Sequence, residues 1–365
     1  MITRFSIMLV ALLFSVSIGL AQDAPPPPGP EQFDGQLAYQ HVVNHVSVGP
    51  RPVATLGSMQ AGNLILNYLE SLGWTVSEDW HMLNLGPVAA MNEAGQQTIA
   101  DWQPININAL LGDHINALGA AAGDDWRPVD IDPLVIPVRN LVATMGSGPT
   151  IILGAHYDSR IYSDKDEDPE RRREPMPGAN DGGSGVGVLL ELARVISEQY
   201  NVNREIRLVF FDAEDNGRIE PWSALLPSTG GYLIGSSLYA QQLDLATENI
   251  EYMLLVDLVG DMDQVFPIEG YSEQYAPELV NQIWTTAAEL GYEDYFPTEV
   301  RGPIIDDHVP FLQRGIPSVD IIDLDYPYWD TSEDTVDKVS PESLERVGRV
   351  LQAHLQSSGV ISRRD

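Results

Sequence analysis

Apolar residues run unbroken through Leu208-Val209-Phe210-Phe211 and stop at Asp212-Ala213-Glu214-Asp215. The same shape recurs at Ile151-Ile152-Leu153-Gly154-Ala155, closed by His156-Tyr157-Asp158, and at Tyr252-Met253-Leu254-Leu255-Val256, closed by Asp257. Short continuous apolar runs rich in β-formers read as strands buried on both faces, the habit of parallel sheets. In open α/β sheets the ligand crevice lies outside the carboxyl ends of the strands. Three such strands ending in His, Asp or Glu therefore place a candidate metal site at one edge of one sheet.

Between these runs the apolar period lengthens to that of a helix. Ser58 to Leu72 carries Leu64, Ile65, Tyr68, Leu69 and Leu72 at helical spacing, with Ser58 as candidate N-cap and Gly73 beyond the end. Ser184 to Tyr200 groups Val188, Leu189, Leu192, Val195 and Ile196 on one face. Further helices are predicted at Gly235–Leu243, Glu278–Leu290, Val309–Arg314 and Pro341–Leu355, the last capped by Ser340. Trp74 to Met82 alternates like a strand, and Pro317 to Ile322 reads as another. Arg139–Met145 and Thr150–Ala155 predict a strand pair around the turn signal Gly146-Ser147-Gly148-Pro149. Weak periodicity predicts a surface excursion with short strands over 84–135, a charged mobile loop over 163–177, and a long loop over 216–229 that holds Trp222. Strands alternating with helices give the fold class: α/β, a single globular domain over 35–360, with a mostly parallel mixed sheet sandwiched by helices.

Composition narrows the setting. Acids outnumber bases 53 to 20, a net charge of −33, which argues against nucleic acid and anionic membrane as partners and favours substrates bearing a free ammonium group. Residues 1–21 have the form of a signal peptide: Arg4, an apolar stretch from Phe5 to Leu20, and Gly19-Leu20-Ala21 as a small-x-small cleavage site. Pro25-Pro26-Pro27-Pro28 marks residues 22–34 as an extended spacer. The expected location is secreted or periplasmic, with no membrane contact beyond the signal peptide. The sequence has no Cys, hence no disulfide framework.

Five stretches carry the candidate chemistry: His156-Tyr157-Asp158-Ser159, Asn180-Asp181-Gly182-Gly183-Ser184-Gly185, Asp212-Ala213-Glu214-Asp215, Leu255-Val256-Asp257 and Asp306-Asp307-His308. Asp181 taken alone reads as a helix cap, and Asp257 alone as a buried hydrogen-bonded acid. All five fall at strand C-termini or the turns that follow. Concentrating acids in one crevice is costly unless a cation neutralises them. His308, following two acids at a helix start, reads as an orienting group rather than a ligand.

In this order the five stretches resemble the zinc aminopeptidase and glutaminyl cyclase superfamily over roughly residues 35–358. They are most similar to glutaminyl-peptide cyclotransferases of the animal type and their bacterial relatives. Glu214-Asp215, the loop with Trp222, Asp306-Asp307-His308, Glu269-Gly270-Tyr271-Ser272 and Leu290-Gly291-Tyr292 favour that branch. The resemblance implies a zinc exopeptidase-like fold and one Zn2+ held by Asp181, Asp215 and Asp330. It also implies Glu214 as proton shuttle, Asp257 and Asp306 as an acid network behind it, and Trp329, with Trp222 beside it as a candidate wall, lining the substrate pocket. The implied reaction is conversion of an N-terminal Gln to pyroglutamate with release of ammonia, on peptides or small proteins with a free N-terminus, by a protein expected to be a monomer.

One position departs from that pattern. The family has an aromatic residue, then His, then Thr; this chain reads Trp329-Asp330-Thr331. Three carboxylates leave a divalent ion in a shell of net charge −1, which suits a harder ion than zinc. Three readings stay open: Asp330 ligates; His156 supplies the nitrogen with the ion shifted toward Asp257; or the site binds metal poorly. Two other activities remain as alternatives. A metallo-aminopeptidase would use a second site at His156 and Asp257. A catalytically impaired relative would bind peptides without turning them over.

Overall fold

The computed structural model describes residues 32–84, 135–217 and 231–364. The predicted signal peptide, nearly all of the spacer, the 84–135 excursion except its two end residues, and Trp222 lie outside the described residues. Six strands form the central sheet: β1 (Thr75–Asn84), β2 (Val135–Met145), β3 (Thr150–His156), β5 (Glu205–Phe211), β6 (Ile250–Asp257) and β7 (Ser318–Ile322). Their order is β1-β2-β5-β3-β6-β7, and a short pair, β4 (Tyr200–Val202) with β8 (Ile361–Arg363), stands apart. The β5-β3, β3-β6 and β6-β7 ladders are parallel, whereas β1 and β2 add an antiparallel edge. The sheet is therefore mixed and mostly parallel, as expected.

The strand pair predicted around Gly146-Ser147-Gly148-Pro149 is not formed. β5 inserts between β2 and β3 and hydrogen-bonds to both. The turn serves this insertion. Glu205 N–H donates to Pro149 O at 3.0 Å, and a Cβ on Gly146 (φ 87°) would sit 2.1 Å from Arg204 O. The glycine thus lets the turn lie across the segment that leads into β5.

Alternate residues of β5 face opposite layers, which is why both must be apolar. Leu208 and Phe210 join the larger core with α1 (Gly35–Val46), α2 (Leu56–Ser71), α3 (Gly183–Gln199), α6 (Pro277–Glu289) and α8 (Pro341–Ser357). Val209 and Phe211 pack on the other face against Tyr239 of α4 (Ile234–Gln242) and Phe311 of α7 (Val309–Gln313). The short α5 (Gly270–Tyr275) had no clear periodic signal and is fixed instead by its cap, Glu269, which accepts from Tyr271 N and Ser272 N. α2 begins one turn earlier than predicted: Thr55, not Ser58, is its N-cap. Ser340 caps α8 as expected, accepting from Ser343 N.

Arg51, fully buried, ties the α1–α2 connection to the loops around the sheet's C-terminal edge. Its side chain donates to Tyr157 O at 3.1 Å, Pro177 O at 2.8 Å and Gly178 O at 2.6 Å. Burial pulls its pKa down to about 10. Arg51→Met would leave the Pro177 and Gly178 carbonyls without that donor in a buried place, while Tyr157 O would keep only His45 Nε2 at 3.0 Å. The expected cost is about 3 kcal/mol of unfolding free energy, measured by urea denaturation.

Candidate metal centre and active site

The C-terminal ends of β3, β5 and β6 deliver His156, the Asp212-Ala213-Glu214-Asp215 turn and Asp257 to one side of the sheet. β3 is also where the order reverses, because β5 lies on one side of it and β6 on the other. Such a reversal opens a crevice between the diverging connections. Asp181 does not cap the helix that follows it. The N-cap of α3 is Gly182 at φ 78°, with no side-chain cap bond. A Cβ there would lie 2.8 Å from His156 Cε1, so the glycine admits the imidazole. The turn is held from elsewhere: Asp334 accepts from Asn180 N at 2.9 Å, from Asp181 N at 3.1 Å and from the Tyr326 hydroxyl at 2.7 Å. Asp181 is thereby left to the crevice.

His156 Nε2 lies 3.1 Å from Asp181 Oδ1 and 3.2 Å from Asp257 Oδ1. Its other nitrogen, Nδ1, lies 3.3 Å from Asp158 Oδ1. Asp158 is itself fixed by Glu214 N at 3.2 Å and Asp215 N at 3.1 Å. Two groups of buried ligand atoms, each within 4.8 Å of one another, share Asp181: His156, Asp181 and Asp257, and Asp181, Asp215 and Asp330. Asp181 and Asp330, nearly 150 positions apart in the chain, are thus brought together.

Two basic side chains that sequence reasoning did not single out enter the second group. Arg160 Nη1 is 2.6 Å from Asp215 Oδ1 and 3.0 Å from Asp330 Oδ1, and Lys165 Nζ is 2.5 Å from Asp330 Oδ2. Lys165 also lies over the ring of Trp329. The 163–177 loop, expected to be mobile, is anchored through Lys165 and through Asp166, which accepts from Ser332 N at 3.2 Å. Asp330 has φ 61°, and the neighbours of the other acids, Ala213 and Leu258, have φ 55° and 50°. Left-handed backbone at non-glycine residues costs roughly 1 kcal/mol or more each and is retained where surrounding structure holds it.

Burial pushes the acids up. Asp181 rises to about 7, and Asp215 goes well above the carboxylate range although Arg160 opposes the rise. Glu214 is also held well above its ordinary value by burial first, with the negative charges of Asp215, Asp307 and Asp306 adding to it against His156. For His156 burial works downward, but Asp257, Asp158 and Asp181 outweigh it and hold the imidazole well above its ordinary value. Asp306 rises to about 7 through burial and the charge of Asp257, and its other neighbour is Asp320, an acid in mid-strand that the apolar pattern concealed. Asp257 and Asp306 are thus coupled through charge. His308 takes the orienting position expected of it: Nε2 is 3.1 Å from Glu269 Oε2, and Nδ1 is 3.8 Å from Asp320.

Glu214, Asp181, Asp215, Asp257, Asp306 and Trp329 line one cavity of about 650 Å³. Leu258, Ile304, Ile322 and Leu324 form its apolar wall, and Arg160, Lys165 and Tyr232 stand at the acid end. Arg160, Lys165 and Asp334 are the residues the sequence reading did not single out, and no spacing marked them; Asp158 stood in the His156-Tyr157-Asp158-Ser159 stretch, but its part in orienting His156 shows only in the geometry.

The sequence profile of peptidase family M28 matches residues 140–355, more than half of the chain. The chain belongs to peptidase family M28. A glutaminyl-peptide cyclotransferase of Boiga dendrophila is 25% identical over 245 residues, covering 58% of this chain and 63% of that relative. The chain thus spans less than two thirds of the length of that curated relative. The crystal structure of Porphyromonas gingivalis glutaminyl cyclase is 29% identical, with a TM-score of 0.70 over 89% of this chain and 99% of that one. A Zn-dependent exopeptidase from Parabacteroides distasonis is also 29% identical, with a TM-score of 0.69 over 89% and 98% of the two chains. The zinc exopeptidase-like fold expected from the sequence is the one observed.

The donor set fits a divalent ion. A proton on His156 Nδ1 facing Asp158 leaves the Nε2 lone pair directed at Asp181 and Asp257, the arrangement in which histidine binds metal. His156 Nε2 and carboxylate oxygens of Asp181 and Asp257 lie within 4.8 Å of one another, close enough to share one ion. Asp158→Asn would remove the carboxylate that orients His156. Zinc affinity measured by titration calorimetry is expected to fall roughly 10- to 100-fold.

Proposed function

We propose that this protein is a metal-dependent glutaminyl-peptide cyclotransferase, exported from the cell and acting as a monomer on peptides or small proteins with an N-terminal Gln. The observation that carries the reading is the placement of Glu214. A carboxyl with a raised pKa shares a cavity with Asp181, Asp215 and Asp257 and with an apolar wall that ends at Trp329. The similarity to glutaminyl cyclases over nearly the whole described chain supports it.

The substrate carries its own nucleophile, so the protein's work is to position and to move protons. Trp329, Ile304, Ile322 and Leu324 would pack the methylenes of the Gln side chain, and Asp257 and Asp306 would accept hydrogen bonds from the neutral α-amino group. Glu214 would take a proton from the amine as its nitrogen attacks Cδ, then return it to the departing nitrogen, which leaves as ammonia. A divalent ion, taken to be zinc from the Zn-dependent relative, would supply polarisation of the γ-carboxamide oxygen when bound. Export rests on Arg4 and the apolar stretch after it.

One observation favours a second reading. Two ligand groups sharing Asp181 could suit a two-ion aminopeptidase. Incubation with Gln-initiated and Leu-initiated peptides separates the two. The cyclase releases ammonia from the first and leaves the second intact, whereas an aminopeptidase frees Leu from the second.

A further inference from the structure

We infer that Arg160, braced by Lys165, is a built-in cation in the Asp181, Asp215 and Asp330 group, and that the chain binds a single divalent ion, at His156, Asp181 and Asp257. The inference rests on the proposed metal centre but not on the reaction assigned to it. The first ground is occupancy. Both oxygens of Asp330 are already in ion pairs, Oδ1 with Arg160 at 3.0 Å and Oδ2 with Lys165 at 2.5 Å, and Arg160 also reaches Asp215 Oδ1 at 2.6 Å. Arg160 is itself fixed, with Nε 2.9 Å from Asp164 and Nη2 3.0 Å from the Tyr232 hydroxyl. A delocalised guanidinium, always charged and weakly hydrated, is the side chain suited to a buried carboxylate pair.

The second ground is donor chemistry. Among the two groups only the His156 one holds a nitrogen, and that nitrogen is aimed by Asp158. One imidazole and two carboxylates leave an open fourth position, the usual form of a catalytic zinc site. The third ground is charge. Arg160 and Lys165 set two positive charges against the carboxylates of Asp215 and Asp330, while Asp181 and Asp257 face His156 with no basic side chain between them and leave their charge to one divalent ion. A second would have to displace the guanidinium or stand beside it, at a steep electrostatic cost in a buried site.

The test is a metal count with affinities, on apo protein titrated with zinc and with manganese by calorimetry and checked by elemental analysis. The wild-type chain is expected to take one ion. Asp330→Asn should leave its affinity within about 3-fold, and Asp257→Asn should weaken it by on the order of 100-fold or more, since loss of a ligand exceeds loss of its orienting partner. The double variant Arg160→Met with Lys165→Met should admit a second ion. Two ions on the wild-type chain, none, or a loss of affinity on Asp330→Asn as large as on Asp257→Asn would overturn the inference. Should the double variant fail to fold, the wild-type count and the two Asp variants still decide. A chain that holds one ion but releases no ammonia would overturn the cyclase and leave this inference standing.

Discussion

Glu214→Gln is expected to slow turnover of a Gln-initiated peptide by roughly 100- to 10,000-fold, the range that a positioned proton-transfer group contributes. The substitution keeps the shape of the side chain and removes its ability to accept a proton. The backbone should not move, because it is held independently of the side chain: Glu214 N–H donates to Asp158 at 3.2 Å, and Glu214 O accepts from Leu233 N at 3.0 Å. Circular dichroism and zinc affinity are therefore expected to match those of the wild-type chain. The reaction needs the ionised form of Glu214, whose pKa stands well above the ordinary value. Activity should rise with pH, with its acid limb above the ordinary carboxylate range. Asp306→Asn removes a negative charge that helps to hold Glu214 up, so that limb should move to lower pH. A limb that stays in place would mean that Asp306 does not act through Glu214.

Metal-free protein is expected to lose stability as pH rises from 6.5 to 8, and a divalent ion should restore it. Burial lifts Asp181 and Asp306 to about 7 and Asp212 to about 8. Unfolded, these carboxyls titrate near 4. Between the two values the folded chain binds more protons than the unfolded one, so stability falls as pH climbs. His156, raised by Asp257 and its other acidic neighbours, adds in the same direction, because its stabilising charge is lost as pH rises through its folded value. Below 6.5 the trend is opposed by His41 and His354, which burial lowers to about 4 and which gain stability as pH rises toward 6.5. The clean window is therefore 6.5 to 8, where the three acids finish ionising. Of these, Asp181 in its ionised form is also a ligand an ion requires, so ion binding and part of this instability share one cause. At a thousandfold excess over Kd an ion that binds only the folded chain contributes about 4 kcal/mol. Thermal melts at pH 6.5 and pH 8, each with and without zinc, read both effects. A melting midpoint that rises with pH in the metal-free protein would contradict this electrostatic picture.

Much of the architecture could be read from the apolar runs. β3, β5 and β6 are two-sided in their burial, and such strands announce themselves as continuous hydrophobic segments that end where the chemistry begins. Strand order could not be read the same way. The Gly146–Pro149 turn looks like a hairpin because local signals report a change of direction, not the neighbour that the next strand will choose. β5 comes later in the chain and takes the place between β2 and β3. Asp320 was hidden for the opposite reason: it sits in mid-strand between Val319 and Ile321, and its company of Asp306 and His308 exists only in three dimensions.

At the site, acids at strand ends were legible because concentrated carboxylates need a counter-charge. Which counter-charge was not. Arg160 and Lys165 lie beside motifs read for their acids, and their contacts to Asp330 span 170 and 165 positions of sequence. The resemblance placed Asp330 among the ligands, and the geometry brings it to Asp181 and Asp215. The same geometry pairs it with two basic groups, a feature that no spacing rule contains.

The claim on which the account turns is that these convergent acids serve cyclisation of an N-terminal Gln. Mass spectrometry of a single Gln-initiated peptide, incubated with zinc-loaded protein, tests it most directly. The account predicts a product that has lost one ammonia and kept every residue, formed with zinc and not after chelation. A product shorter by its first residue, or an unchanged peptide, would contradict it.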